Sequence, residues 1–380
     1  MKTLRHPLRA AAPGTEQHLV SLHFGTPGAG PKAFVQASLH ADEVPGMLVA
    51  HHLRQSLAAL EAQGRLRGEI VLVPAANPLG MQQWLLRGYQ GRFELASGEN
   101  FNRHYADLTE VVWAEVAGEL GEDAAANVAA VRAALRRAVA ALPAPTALED
   151  LRRTLFGLAV DADIVLDLHC DGEALLHFYT TPGCWPQAQL LARCIGAEAA
   201  LLAERSGGDP FDEACSMVWP QLAARQVAQG GEQAVLPQAC LAVTIELRGE
   251  ADVTHALAQR DAAGIVHFLG LRGLIDPPEG GAWPAPAEAC CEATPLAGSM
   301  PLYAPHGGVL TFLRDPGAQV SAGETLAELI DPLTGAVTPV NSPVDGLFFA
   351  RENRRFAVAG NALGKVAGRE VRRQGPLLSA

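Results

Sequence analysis

The chain has 380 residues, 49% of them hydrophobic and 18% charged. That is enough apolar material for a large buried core, and it excludes a disordered chain or a small disulfide-stapled scaffold. Against 29 basic residues stand 41 acidic ones, a formal charge of −12, which argues against nucleic acid or an anionic membrane surface as the main partner.

Residues 33–39 (AFVQASL) read as a short buried strand. Residues 47–61 read as a helix, with Met47, Leu48, Leu53, Leu57 and Leu60 at helical spacing. Residues 69–74 (EIVLVP) are a second strand, followed by the turn signal Asn77-Pro78-Leu79-Gly80. Strand, helix and strand in close succession make a βαβ unit, so the fold class is α/β, with a mixed, mainly parallel sheet flanked by helices. Residues 88–107 lack periodicity and read as a long loop, which in a compact domain tends to be functional. Residues 114–158 look helical, with a break at Pro143 and Pro145. Strands are expected at 163–168, 174–180 and 241–247, and helices at 184–205 and 254–274. Pro277, Pro278, Pro284 and Pro286 mark a linker over 276–298. Beyond it, short strands at 308–313, 325–330, 337–340, 346–350 and 355–358 alternate with Gly/Pro turns and indicate a small all-β module. The expected division is therefore a catalytic domain at 1–275, the linker, and a β module at 299–380.

Seven cysteines at irregular spacing, without a CxxC pair, fit reduced thiols in a cytoplasm better than a disulfide framework. Residues 1–13 lack the apolar stretch of a signal peptide. No run approaches the ~20 apolar residues of a membrane span. A soluble cytoplasmic protein with no membrane partner is expected.

The chemistry concentrates at strand ends, where ligands bind in open α/β sheets. His40 and Glu43 lie three apart where the first strand ends, and His169 follows the strand 163–168. Imidazole nitrogen and carboxylate oxygen both suit Zn²⁺. Two His and one Glu make the three-ligand set of a catalytic zinc, with the fourth position left for water. Either His taken alone reads equally as a packed structural residue. His51, His52, His255 and His267, on expected helices, are read that way.

Five short motifs occur in a telling order: His-Ala-Asp-Glu at 40–43, Asn-Pro-Leu-Gly at 77–80, Asn-Phe-Asn-Arg at 100–103, Asp-Leu-His at 167–169 and Thr-Ile-Glu-Leu-Arg-Gly-Glu at 244–250. Together they resemble the succinylglutamate desuccinylase/aspartoacylase family, within the zinc carboxypeptidase superfamily. The resemblance implies one Zn²⁺ per chain on His40, Glu43 and His169. It implies Glu246 as the catalytic carboxylate, and Asn102 with Arg103 on a substrate carboxylate. It puts Arg92 where the scissile carbonyl is polarised, with Arg87 as a competing candidate. The implied reaction is hydrolysis of the amide bond of an N-acyl amino acid or a related small molecule by metal-activated water. Two alternatives stay open: a zinc carboxypeptidase acting on short peptides, and a non-catalytic ligand-binding protein on the same scaffold.

The residue types suit these roles. Zinc brings the pKa of water to about 7, a carboxylate can carry that proton to a leaving amine, and a guanidinium fork grips a carboxylate bidentately. Glu246 ends an apolar strand, where burial without a partner is costly. Cys170 adjoins His169, but neighbouring strand residues face opposite ways, so it is not expected to be a ligand. The chain departs from the family at Ala41, where many members have Gly, and at 100–101, where many have Asp-Leu. His104 and Tyr105 are expected to line the pocket.

Residues 317–326 and 342–346 resemble the biotinyl/lipoyl-like barrel-sandwich fold. The place of the carrier lysine reads Ile330-Asp331-Pro332-Leu333-Thr334-Gly335. Lys365, one of three lysines with Lys2 and Lys32, lies well beyond it. A carrier role is disfavoured, and the module is expected to cover the site or to mediate assembly. Homo-oligomers are common among enzymes of this kind.

Overall fold

Twelve short segments, β1 (Lys2–Leu8), β2 (Gln17–Gly25), β3 (Lys32–Ala37), β4 (Glu69–Val73), β5 (Trp84–Leu85), β6 (Gly88–Tyr89), β7 (Ile164–Asp171), β8 (Glu173–Ala174), β9 (Leu176–Thr180), β10 (Ala199–Leu202), β11 (Leu241–Gly249) and β12 (Ala293–Pro295), are the strands among the described residues up to 295. The structure is a computed structural model that describes residues 1–229, 235–278, 281–288 and 291–378. Cys290 and linker positions 279, 280 and 289 lie outside the described residues. Nine of the strands form one sheet in the order β1-β2-β4-β3-β7-β11-β9-β10-β12. Its centre, β4-β3-β7-β11, is parallel, and β1, β2 and β9 run antiparallel to their inner neighbours.

Alternation along the strands decides what covers each face. Val35 and Ala37 on β3, Leu166 and Leu168 on β7, and Val243 and Ile245 on β11 pack on one side. They meet α1 (Pro45–Ala62), α5 (Trp185–Ile195) and α8 (His255–Leu271). Phe34, Val165 and Ala242 point the other way. They meet α2 (Thr109–Val116), α3 (Ala124–Ala140), α4 (Ala147–Ala159), α6 (Phe211–Ser216) and α7 (Val218–Ala228). On that second face the residues after Val165 and Ala242 are polar: Asp167 and His169 on β7, Thr244 and Glu246 on β11. The apolar core ends there and the site begins. Among the described residues no helix is long and apolar enough to cross a membrane.

Two antiparallel sheets follow, built from β13 (Ser299–Tyr303), β14 (Gly308–Phe312), β15 (Gln319–Val320), β16 (Thr325–Ile330), β17 (Val337–Asn341), β18 (Gly346–Arg351), β19 (Phe356–Ala357) and β20 (Ala362–Ala367). Leu310, Leu326, Leu329, Phe348 and Val366 fill the space between them. The fully exposed tip between β16 and β17 carries Leu333. Lys365 sits on β20 and its ammonium pairs with Asp171 of β7 at 2.5 Å.

Several expected elements differ. The helix read over 184–205 stops at Gly196, which caps α5 in the left-handed conformation (φ +71°). The chain then enters β10, whose Ala-Ala-Leu-Leu sequence carries no strand signal of its own. The region 114–158 is three helices, with Asp123 and the Thr146–Glu149 capping box starting the second and third. Within the stretch read as linker, Ala293–Pro295 joins the large sheet beside β10. Conversely, β8 leaves the first part of the chain to pair with β18. Tyr179, Leu201, Leu296 and Phe349 form one buried cluster across the junction.

Candidate functional site

The turn from β3 into α1 carries the first two site residues. Ser38 turns the chain with φ +60° and donates its hydroxyl to Glu43 O. Pro45 stands at the start of α1, where its missing N–H costs nothing. The Asn77-Pro78-Leu79-Gly80 motif buttresses this turn. Asn77 Nδ2 donates to Leu39 O at 2.9 Å, and a Cβ on Gly80 would come within 2.9 Å of Ala41 Cβ. From the other side Ala41 N donates to Gly91 O, and a Cβ on Gly91 would lie 2.0 Å from Asp42 N.

So held, Glu43 stands between two imidazoles. Its Oε1 is 2.8 Å from His40 Nδ1 and its Oε2 is 2.6 Å from His169 Nδ1. The rings lie edge to face, 4.9 Å between centroids. All three side chains are buried, and one ligand atom from each lies within 4.8 Å of the others. The outer nitrogens are held too. His40 Nε2 is 2.8 Å from Asn100 Oδ1, and His169 Nε2 is 3.0 Å from Asp167 Oδ2. Such outer contacts fix ring orientation in metal sites. Burial favours a neutral Glu43, but the two imidazoles outweigh it and hold the carboxyl well below the usual range. Burial likewise opposes a charged His169, yet Asp167 and Glu43 outweigh it and raise its pKa. Cys170 contributes its backbone N–H to Glu43 Oε2 rather than its thiol.

Two nitrogens and a carboxylate, buried and convergent, fit a divalent cation of the zinc class in donor type. Glu246 adds a second indication. It pairs in register with His169 on β7 and with His177 on β9, so the three lie in one row across the sheet. Its Oε2 is buried with no hydrogen-bond partner among the described residues. Burial, followed by the charge of Glu43, pushes its carboxyl up to about 8.

A cavity of about 600 Å³ contains His40, Glu43, His169, Glu246, Arg92, Asn102 and Arg103 in its walls. All seven expected site residues thus meet in one space. Arg92 Nη1 is 3.2 Å from Glu43 Oε1 and 3.3 Å from His40 Nδ1. Arg87 is exposed at the tip of the β5–β6 hairpin and does not line the cavity. Asn102 Oδ1 accepts from Phe211 N, and its Nδ2 is 3.5 Å from His169 Nε2. Arg103 is buried, with Nη1 donating to Asn102 O at 2.7 Å and its Cδ against Gly208. His104 and Tyr105 do not line this cavity. His104 is exposed, and Tyr105 packs with Phe156 and Phe211 in the core.

Sequence reasoning missed other walls of the same space. Asp212 and Glu213, both buried, lie beside Arg103. Burial and then Glu213 push Asp212 up to about 7. Tyr303, Arg354 and Lys365 enter from the C-terminal sheets. Only tertiary contact brings these together, and no local spacing announces them. Asn100, in contrast, lay inside the quoted Asn-Phe-Asn-Arg motif.

Residues 29–132 match the family described as succinylglutamate desuccinylase/aspartoacylase catalytic domain. Among solved structures, a succinylglutamate desuccinylase/aspartoacylase family protein from Shewanella amazonensis SB2B is 29% identical, covers 97% of this chain and 98% of its own, and has a TM-score of 0.84. A counterpart from Shewanella frigidimarina NCIMB 400 is 26% identical, covers 97% of each chain, and has a TM-score of 0.82. The ectoine utilization protein EutE (DoeB) from Ruegeria pomeroyi shares the fold at 16% identity, with 96% and 93% coverage and a TM-score of 0.64. No curated protein matches the chain in sequence. The segment bearing His40 and Glu43 matches the model of that catalytic domain, and nearly the whole chain is similar in structure to proteins named for the succinylglutamate desuccinylase/aspartoacylase family.

Proposed function

We propose that the protein is a zinc-dependent hydrolase of N-acyl amino acids or closely related small amides. His40, Glu43 and His169 would hold the metal, which when bound supplies Lewis acidity and a water acidified toward neutrality. The observation that carries the reading is Glu246, a buried carboxylate with an unpartnered oxygen that opens on the same cavity as the three ligands. Leaving such an oxygen unsatisfied costs about 1–3 kcal/mol or more, which a purely structural residue has no reason to retain. Facing the same cavity as the three ligands, the Glu246 carboxylate is suited to take a proton from water and to give it to the leaving amine. Arg92, a fixed cation at the edge of Glu43, suits the charge that develops on the carbonyl oxygen. Asn102 and Arg103 suit the carboxylate of the amino acid, in which a guanidinium fork matches both oxygens. Water adds across the C–N bond, so the acyl carbon leaves as a carboxylate and the amine as a free amino acid.

A volume of about 600 Å³ is that of a small-molecule site, which favours acyl amino acids over longer peptides. We further propose that residues 1–275 and 299–380 act as catalytic and covering units, and that the protein works in a cytoplasm, where its free cysteines would stay reduced. The test is Glu246→Gln. The variant should bind one zinc like the wild type but lose at least ~10²-fold in kcat on the best of a panel of N-acetyl, N-succinyl and N-formyl amino acids. Equal turnover by both proteins would refute the assignment, and zinc-loaded wild type inert toward the whole panel would refute the reaction.

A further inference from the structure

After β20 the chain does not run off into solvent. It crosses back over the junction to the large sheet. Arg372 N and Arg373 N both donate to Ala297 O at 2.9 Å. Gly375 turns the chain with φ +73°. Leu377 N then donates to Ser206 O at 2.7 Å. Pro376 lies so close to Gly207 that a Cβ there would come within 3.0 Å of Pro376 Cα. Gly207 also has φ +103°, so the position favours glycine twice over. Leu377 and Leu378 pack on the cluster of Tyr179, Leu201, Leu296 and Phe349. Arg373, Pro376, Leu377 and Leu378 are walls of the same cavity that holds His40, Glu43 and His169.

The loop that receives this segment is the one that seats Arg103. His104 N donates to Gly208 O at 2.8 Å, Tyr105 N to Asp209 O at 3.0 Å, and Gly208 packs on Arg103 Cδ. The segment therefore closes the cavity beside the guanidinium assigned to the amino acid carboxylate, not at an arbitrary rim.

We propose that residues 373–378 are a specificity wall: they bound the amino acid end of the substrate, so that a single acylated amino acid fits and one extended at its carboxyl end does not. The inference rests on the N-acyl amino acid reading above and names the side of the substrate that this fold restricts. Two half-buried leucines packed on an apolar cluster provide the seating. Replacing both with aspartate would release the segment.

The experiment compares wild type with Leu377→Asp/Leu378→Asp, and with a chain ended after Arg373. The substrates are the best N-acyl amino acid of the panel and the same compound extended by glycine. In both variants the ratio of kcat/KM for the extended over the unextended compound should rise at least tenfold. Faster trypsin cleavage after Arg373 reports release of the segment in the double variant. An unchanged ratio in the shortened chain, whether both rates fall together or neither moves, overturns the proposal. Calorimetric titration of the zinc-loaded proteins with N-acetylglutamate and N-acetylglutamylglycine reads the same discrimination without turnover. Discrimination that is lost in the variants while no compound is hydrolysed would sink the reaction and keep the wall. Hydrolysis with an unchanged ratio would do the reverse.

Discussion

His177 offers a quantitative test of how the buried row across β7, β11 and β9 is built. Its ring is fully buried and lies edge-on to Phe349, 4.9 Å between centroids. Nδ1 is 2.9 Å from Leu175 O and donates to it, and Nε2 is 3.3 Å from the Tyr179 hydroxyl, from which it accepts. The neutral tautomer thus satisfies both nitrogens. Burial, partly opposed by Asp171 and reinforced by Lys365, pulls the imidazole pKa down to about 4. In the unfolded chain it titrates near 6.5. Between those values the unfolded chain binds a proton that the folded chain does not, so stability falls as pH drops through the window. A gap of about 2.5 units at ~1.36 kcal/mol each gives about 3 kcal/mol. An unfolding entropy of about 2.1 cal/mol/K per residue converts this to a fall of roughly 4 °C in Tm. Gln at this position keeps a donor and an acceptor but cannot titrate. Thermal melts of wild type and His177→Gln at pH 7 and pH 4 should therefore show the wild type losing about 4 °C more than the variant. Equal losses would mean that the imidazole is not held neutral, and the reasoning would fail.

Three further outcomes follow from the geometry. Gly91→Ala would push a methyl to 2.0 Å from Asp42 N and displace the turn between His40 and Glu43. Zinc affinity, measured by chelator competition, should fall roughly 10–100-fold while far-ultraviolet circular dichroism stays unchanged. Arg103→Lys keeps the charge but loses the fork that donates to Asn102 O; KM for an N-acyl amino acid should rise about tenfold with little change for the corresponding carboxamide, and a kcat loss with constant KM would contradict the assignment. Phe349→Ala empties a fully buried position between the sheets and should cost about 3–5 kcal/mol in urea denaturation; a loss below ~1 kcal/mol would show that the junction is loosely packed.

The central strands were legible because β3, β4, β7 and β11 each carry a mostly apolar run, as strands buried on both faces do. The fold class followed from them, as did the strand-end placement of His40, His169 and Glu246. The edges were not legible. β1 reads Lys-Thr-Leu-Arg-His-Pro-Leu, an exposed edge strand whose polar face hides its pairing with β2. β10 and β12 owe their extended form to neighbours rather than to their own residues. At the site, the motifs supplied the residues at the ends of β3, β7 and β11 and the pair Asn102 and Arg103 in the loop after β6. Asp212, Tyr303, Lys365 and the segment 373–378 stayed invisible because only long-range packing brings them to the cavity.

The pairing of β8 with β18 has a bearing on how the protein is made. Ala174 stands five residues beyond His169, yet its partner is Ala350, and Glu173 meets Arg351 through both backbone and side chain. A ribosome adding about 5–20 residues per second needs roughly 10 to 35 s to travel from one to the other. During that interval the nascent chain comes to hold β7 with its neighbours β3 and β11, but the short strand β8 that follows has no partner strand. The junction between the large sheet and the C-terminal sheets is then a late closure, completed only once residue 351 has been made.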